Sequence, residues 1–323
     1  MNFSRRIVLA GGATLFGSAA FGLSACRPKP AGKTKLVLGD QVFLLRSRLE
    51  AAGQLKDLPY EAEFANFAGA APLLEALNAG AVDTAIAGDI PAIFAAAAGV
   101  PLKIVAAGRS SARDIALIVP NGSDVTSVAG LRGRKVIVST ARGSISHYLL
   151  LAALEEAGVP EKEVDIGFML PNDAAAAFSA GQIEAWAIFG IYQAKAEAEG
   201  ARILRTGEGI NTGLGLIVAS DKALADSAKR EAIADILKRI SRANEWCVKN
   251  PDAYAKIFAE RTGVSEAIAR TVVSWNNPEF VGPTPEVIAL LQRQTDKFHG
   301  YGVLTKSVNI ATITDTSLTH NRS

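Results

Sequence analysis

Two cysteines, Cys26 and Cys247, permit at most one disulfide and exclude a cysteine-built metal centre. The three histidines, His147, His299 and His320, stand too far apart for a short metal-ligand motif. Charge of one sign is also missing. The 34 Lys and Arg face 32 Asp and Glu, and Arg5 and Arg6 account for the difference. Residues 26–323 are therefore formally neutral, which excludes the concentrated basic face that nucleic acid requires. An anionic ligand has to be caught by local geometry instead. The sequence has no G-x-S-x-G elbow and no P-loop. Gly207-Glu208-Gly209-Ile210-Asn211-Thr212-Gly213 approaches a dinucleotide fingerprint but has the wrong last spacing. Beyond residue 25 no apolar run is long enough to span a bilayer. What remains is a chain of 323 residues, 49% hydrophobic and 20% charged, enough for two domains with a sizeable core.

The amino terminus reads as an address. Ser4-Arg5-Arg6-Ile7-Val8-Leu9 is a twin-arginine start, followed by an uncharged apolar stretch to Ala25. Leu23-Ser24-Ala25-Cys26 resembles a bacterial lipobox, in which the cysteine is acylated and becomes the new amino terminus. Residues 1–25 are thus expected to be an export signal and 26–33 a proline-stiffened tether. The expected location is the periplasm, with lipid anchoring at Cys26. Cys247 is left as a buried spectator.

Downstream, strand and helix patterns alternate. Short apolar strands are expected at 35–39, 60–64, 82–87, 102–106 and 115–119. Helices are expected around Phe43 to Leu49, from Ala71 to Asn78 and over 91–98. A second copy of the pattern follows, with strands at 135–139, 166–168 and 183–188 and helices at 146–157 and 174–180. From about Asp221 the chain turns helical, around 233–246, 251–260 and 285–298. Such alternation predicts α/β layers with a largely parallel sheet in each half.

Four blocks carry a family resemblance. They are Leu73-Leu74-Glu75-Ala76-Leu77-Asn78-Ala79-Gly80-Ala81-Val82-Asp83, Ala87-Gly88-Asp89-Ile90-Pro91-Ala92-Ile93-Phe94, Gly143-Ser144-Ile145-Ser146-His147-Tyr148-Leu149-Leu150, and residues 174–188. Together and in this order, the chain resembles the periplasmic solute-binding proteins of ABC importers, in the branch that binds alkanesulfonates, taurine and nitrate. The resemblance implies an α/β type II periplasmic-binding-protein fold: two α/β lobes joined by two hinge crossovers, with the ligand cleft between them. Lobe one would take residues 34–115 and 219–323, and lobe two 116–218, with crossings near 115–120 and 213–220. It also implies a monomer that hands a small organic anion to permease and ATPase subunits, needs no cofactor and catalyses nothing.

An anion without a basic surface is held by helix amino termini, where free N–H groups converge with the positive end of the dipole. Gly88-Asp89-Ile90 and Arg142-Gly143-Ser144-Ile145-Ser146 each precede a helix. Ser144 and Ser146 offer hydroxyl donors to sulfonate oxygens, or cap the helix. Gln41 follows the first strand and offers its amide, whereas Asp89 suits capping better than an anion. Arg109, Arg113 and Arg142 are the candidate charge partners, with a solvated loop as the alternative for Arg113 beside Asp114. His147 is the histidine nearest the site, with helix packing or ligand contact open to it. Trp186, Phe189 and Tyr192 offer an aromatic wall, with core packing as the alternative for Trp186. Asn211 and Thr212 complete the donor shell. Relatives commonly read Trp-Asp-Pro where this chain has Phe189-Gly190-Ile191. Loss of that carboxylate predicts a site less suited to taurine and roomier for a bulkier, including aromatic, sulfonate or sulfate ester.

Two other classes compete. Thiamine-pyrimidine synthases share the expected fold, but their cysteine-rich signature is missing. A sensor subunit would read the same at the sequence level, as would a binder of nitrate or another small solute.

Overall fold

The computed structural model describes residues 33–276 and 279–319. The expected signal, Cys26 and the tether up to residue 32 lie outside the described residues. The first half of the chain runs β1 Lys35–Gln41, α1 Leu44–Ala51, β2 Glu61–Phe67, α2 Ala70–Asn78, β3 Thr84–Gly88, α3 Asp89–Ala97 and β4 Leu102–Arg109. A second series follows: β5 Ile115–Val119, β6 Lys135–Val138, α4 Ile145–Glu156, β7 Asp165–Phe168, α5 Pro171–Ser179, β8 Ala185–Phe189, α6 Gly190–Ala198 and β9 Arg202–Thr206. The chain ends with β10 Leu214–Ser220, α7 Asp221–Ala225, α8 Ser227–Lys249, α9 Pro251–Thr262, α10 Glu266–Trp275, β11 Glu279–Val281 and α11 Pro285–Gly300.

Two mixed sheets result, ordered β11-β4-β10-β3-β1-β2 and β7-β6-β8-β5-β9. Each has a parallel set built by βαβ crossovers, β1 with β2 and β3 in one and β6 with β7 and β8 in the other. Each also receives an antiparallel strand at the same place: β10 lies between β3 and β4, and β5 between β8 and β9, while β11 adds a second antiparallel strand at the β4 edge of the first sheet. The chain therefore changes sheet twice, across residues 110–114 and 207–213. The return comes before Leu214, one strand earlier than the boundary expected at 219, because the run Leu214 to Ser220 is itself a ladder strand of the first sheet.

Both faces of both sheets are covered, which explains the unbroken apolar runs of the central strands. In β5 the alternation sends Ala116 and Ile118 to one cluster and Leu117 and Val119 to another. β10 divides Leu216 and Val218 from Ile217 and Ala219 in the same way. On the first sheet, α2, α3 and α11 pack one face and α1 and α8 the other. Asp226 caps α8 by accepting from the N–H groups of Ala228 and Lys229, and Ile233, Ile236, Leu237 and Ile240 form its buried stripe.

Helices α9 and α10 do not stay with the first sheet. Tyr254 and Phe258 of α9 and Val272 and Trp275 of α10 share a core cluster with Trp186 and Ile188 of β8. Residues 219–323, all expected in lobe one, thus also supply part of the cover on the Trp186 face of the second sheet, beside α5 and α6.

Candidate functional site

In a parallel α/β sheet, loops at the carboxyl ends of the strands lie together, and helix amino termini point there. Here the carboxyl ends of β1, β3, β6 and β8 and the two passages between sheets all line a single cavity of about 160 Å³. Two of its helix starts meet directly. An added Cβ at Gly88, before α3, would stand 2.6 Å from Ile145 in the first turn of α4. The Asn211 side-chain amide donates to the Ile145 carbonyl at 3.2 Å, fastening the returning passage to α4. The first-turn N–H groups of a helix have no intrahelical acceptor; in α3 Pro91 has none and the Asp89 carboxylate takes that of Ile90, so it is α4 that presents donors here, at Ile145 and Ser146.

The wall beside them is held by a strained turn. Val42 and Phe43 have φ of 45° and 61°, a region that side chains, β-branched ones above all, seldom occupy. Asp40 compensates: its buried carboxylate accepts from the N–H groups of Gln41, Leu45 and Arg46 at 2.7, 2.9 and 2.9 Å. Burial still pushes its pKa up to about 6 despite those bonds and nearby Arg48. The turn aims Val42 and Gln41 into the cavity, with the Gln41 amide donating to the Ile86 carbonyl at 2.7 Å.

Of the residues nominated from sequence, Gln41, Gly88, Asp89, Ser144, Phe189, Gly190, Tyr192 and Asn211 line the cavity. Asp89 is not an N-cap. It is the first residue of α3, its carboxylate accepting from Thr212 Oγ1 and from the Ile90 N–H, and burial raises its pKa to about 6. Thr212 is occupied by that bond and stands behind the wall, as does the fully buried Ile90. Ser144 both caps and lines. Its Oγ accepts from the His147 N–H at 3.1 Å and donates to the Ser139 carbonyl at 2.8 Å. Gly143 packs on the Phe94 ring, and Ser146 is fully buried with its Oγ unpartnered; neither reaches the cavity.

The three nominated arginines are exposed and off the wall. Arg113 lies 3.6 Å from Glu208, not paired with Asp114, which turns inward to the cavity. Trp186 is core: it is 1% exposed and donates from Nε1 to Ser139 Oγ at 2.8 Å. Phe189 and Tyr192 remain as the aromatic wall, edge to face with centroids 6.1 Å apart.

His147 is likewise a packing residue. It stands edge to face with Phe168 and Phe298, at 5.1 and 6.1 Å, and its Nδ1 accepts from the Gly143 N–H at 3.3 Å. Burial and Arg142 lower its pKa to about 4, so the ring is neutral. An unfolded histidine titrates near 6.5, so this group contributes stability above that pH that is lost as pH falls toward 4. The cost of His147→Gln, from urea unfolding at pH 7 and pH 4, is expected to shrink by up to about 3 kcal/mol at the lower pH. The buried carboxyls titrate in both chains and cancel; a cost independent of pH contradicts the assignment.

Sequence reasoning missed Arg48, which is 2% exposed and lines the cavity. Its signal was the helical spacing of Leu45, Arg48 and Leu49, which puts the arginine on the buried face of α1. Asn244, Asn276 and Asp114 are further wall residues. Asp114 accepts from the Asn276 amide at 3.2 Å, and burial raises its pKa to about 6. A carboxyl, that of Asp114, thus faces this cavity although Gly190 supplies none, and the Gly190 N–H donates to the Asp114 backbone carbonyl at 2.6 Å.

Two sheets that exchange one antiparallel strand each, with a cavity at the carboxyl ends of both parallel sets, define the periplasmic-binding-protein fold. The sequence matches the NMT1/THI5-like family over residues 63–254. The chain belongs to that family. It is 33% identical over 241 residues, 74% of each chain, to an aliphatic sulfonates-binding protein of Escherichia coli (strain K12). The alkanesulfonate-binding protein SsuA from Xanthomonas axonopodis pv. citri, solved bound to MOPS, superposes with a TM-score of 0.80 at 28% identity, covering 88% of this chain and 99% of that one. The periplasmic aliphatic sulphonate binding protein SsuA from Escherichia coli gives 0.75 at 29% identity, covering 87% and 97%. The desulfurization enzyme DszB, in complex with biphenyl-2-sulfinic acid, is similar in fold alone, at 16% identity and a TM-score of 0.66 over 88% and 97% of the two chains.

Proposed function

We propose that this chain is the solute-binding component of an ABC importer and that its ligand is an organosulfonate or sulfate ester with a bulky, including aromatic, tail. The observation that carries the reading is one cavity with two natures: the amino terminus of α4, and an apolar wall of Val42, Leu44, Phe189, Ile191, Tyr192 and Phe280. Helix termini suit a sulfonate, and the wall suits a hydrocarbon tail. A dry cavity of about 150 Å³ holds one benzene ring, so about 160 Å³ accommodates an aryl group. Among the described residues the wall carries neither cysteine nor histidine, which fits capture better than covalent chemistry. Gln41, Gly88, Ser144, Phe189, Gly190, Tyr192 and Asn211 form the proposed binding set. Export by the twin-arginine signal, acylation at Cys26, a periplasmic location and delivery by a monomer to a permease and its ATPase complete the proposal.

A thermal-shift panel of ligand-stripped residues 27–323 tests the class. Organosulfonates or sulfate esters at a hundred times Kd should stabilise by about 2.7 kcal/mol. A shift with nitrate, or with sulfate alone, would point to another solute. Gly190→Asp tests the tail. No atom lies within 4 Å of a Cβ there, and aspartate tolerates the φ of +58°. The added carboxylate should weaken arylsulfonate binding by about tenfold or more; unchanged affinity removes Gly190 from the site.

A further inference from the structure

The cavity holds a second polar group, made by elements that take no part in the α3/α4 junction. Arg48 of α1 donates from Nη1 to Asn244 Oδ1 of α8 at 3.2 Å. Its Nη2 donates to the Asn276 carbonyl and side-chain oxygen, just after α10, at 3.5 and 3.3 Å. The guanidinium lies over the Tyr254 ring, 5.8 Å from its centroid. Its Nε is buried without a partner.

Four features set this arginine apart. It is almost fully buried, it lines the ligand cavity, no carboxylate among the described residues pairs with it within 4 Å, and its bonds are long ones to neutral amides. Asp40 is near enough to feel its charge, yet both Asp40 oxygens accept from backbone N–H groups of the β1–α1 turn and helix start. Asp114 is reached only through Asn276. Burying a cation costs several kcal/mol unless an anion is supplied, and a guanidinium matches a planar carboxylate with two parallel donors. Within the cavity the α4 terminus already suits one anion; Arg48 suits a second.

We infer that the ligand is an organic dianion, a sulfonate whose far end carries a carboxylate, and that Arg48 is the residue that selects that carboxylate. This rests on the reading of the cavity as an organosulfonate site. The aromatic wall of Phe189 and Tyr192 belongs to the same cavity and suits a rigid ring as the spacer between the two acids.

Calorimetric titration of the ligand-stripped chain with benzenesulfonate, 4-hydroxybenzenesulfonate and 4-sulfobenzoate tests it. The carboxylate should improve Kd about tenfold over benzenesulfonate, the gain of one charge-assisted pair. In Arg48→Met the ratio of the two Kd values should fall to about one, whatever the change in benzenesulfonate affinity itself. Benzenesulfonate binding as tight as 4-sulfobenzoate in the native chain overturns the inference, and that comparison stands even if the variant fails to fold. A preference for the hydroxyl over the carboxylate overturns it too, because neutral hydrogen bonding then suffices. If none of the three binds, it is the organosulfonate reading itself that fails.

Discussion

A Gly213→Ala chain is expected to lose at least about 2 kcal/mol of stability, a fall in thermal midpoint of roughly 6 °C. Gly213 sits where the second passage between the sheets meets the first. Its φ is +71°, and a Cβ there would fall on the Ser110 carbonyl oxygen, which is backbone and has no rotamer to escape into. The Ser110 N–H donates to the Gly213 carbonyl at 2.8 Å, so the substitution strikes the bond that ties the two crossings together. Left-handed backbone costs an alanine about 1–2 kcal/mol and the displaced hydrogen bond about 1 more. Both passages line the cavity, so ligand affinity should fall along with stability. Differential scanning calorimetry with and without benzenesulfonate measures both effects. A midpoint within about 1 °C of the native value would show that the crossings are not coupled here.

Trp186→Ala is expected to cost about 3–5 kcal/mol, enough to threaten folding, as truncation of a large buried aromatic does. The indole packs on Phe178 at 5.3 Å between centroids and shares its cluster with Tyr254, Phe258 and Trp275, so its loss empties the seam between β8 and the C-terminal helices. Trp186→Phe separates packing from polarity. It keeps a ring but strands the fully buried Ser139 hydroxyl that now accepts from Nε1, at a cost of about 1–3 kcal/mol. Because Trp186 stands off the cavity, the Phe variant should bind benzenesulfonate within about twofold of the native chain. A large affinity loss in a stably folded Trp186→Phe protein would return Trp186 to the ligand wall.

The alternation of strand and helix was legible because the central strands are apolar on both faces and the intervening helices carry clear stops. Less legible were the elements that break local rules. α6 opens on Gly190 with positive φ, and β10 looks like a connecting run until its ladder with β3 and β4 is seen. α10 is amphipathic, but its partner surface on the second sheet is distant in sequence. At the site, the loop-to-helix junctions were readable because helix termini announce themselves through glycine and small polar residues. Charge was not. Arg109 ends strand β4 and Arg113 and Arg142 lie in loops, and all three are exposed, whereas Arg48 sits in an ordinary helix and faces the cavity. Side-chain direction there depends on which face of α1 the sheet covers, and that is a tertiary fact. Trp186 and His147 show the converse: both sit within family blocks, and both are consumed by packing.

On the proposed reading, one cavity holds an organosulfonate with its sulfonate at the amino terminus of α4 and its tail on an aromatic wall. A crystal structure of the ligand-stripped chain soaked with benzenesulfonate reads this out. Sulfonate oxygens are expected about 3 Å from the first-turn N–H groups of α4, with the ring against Phe189 and Tyr192. A sulfonate seated elsewhere, with the α4 start left to solvent, would contradict it.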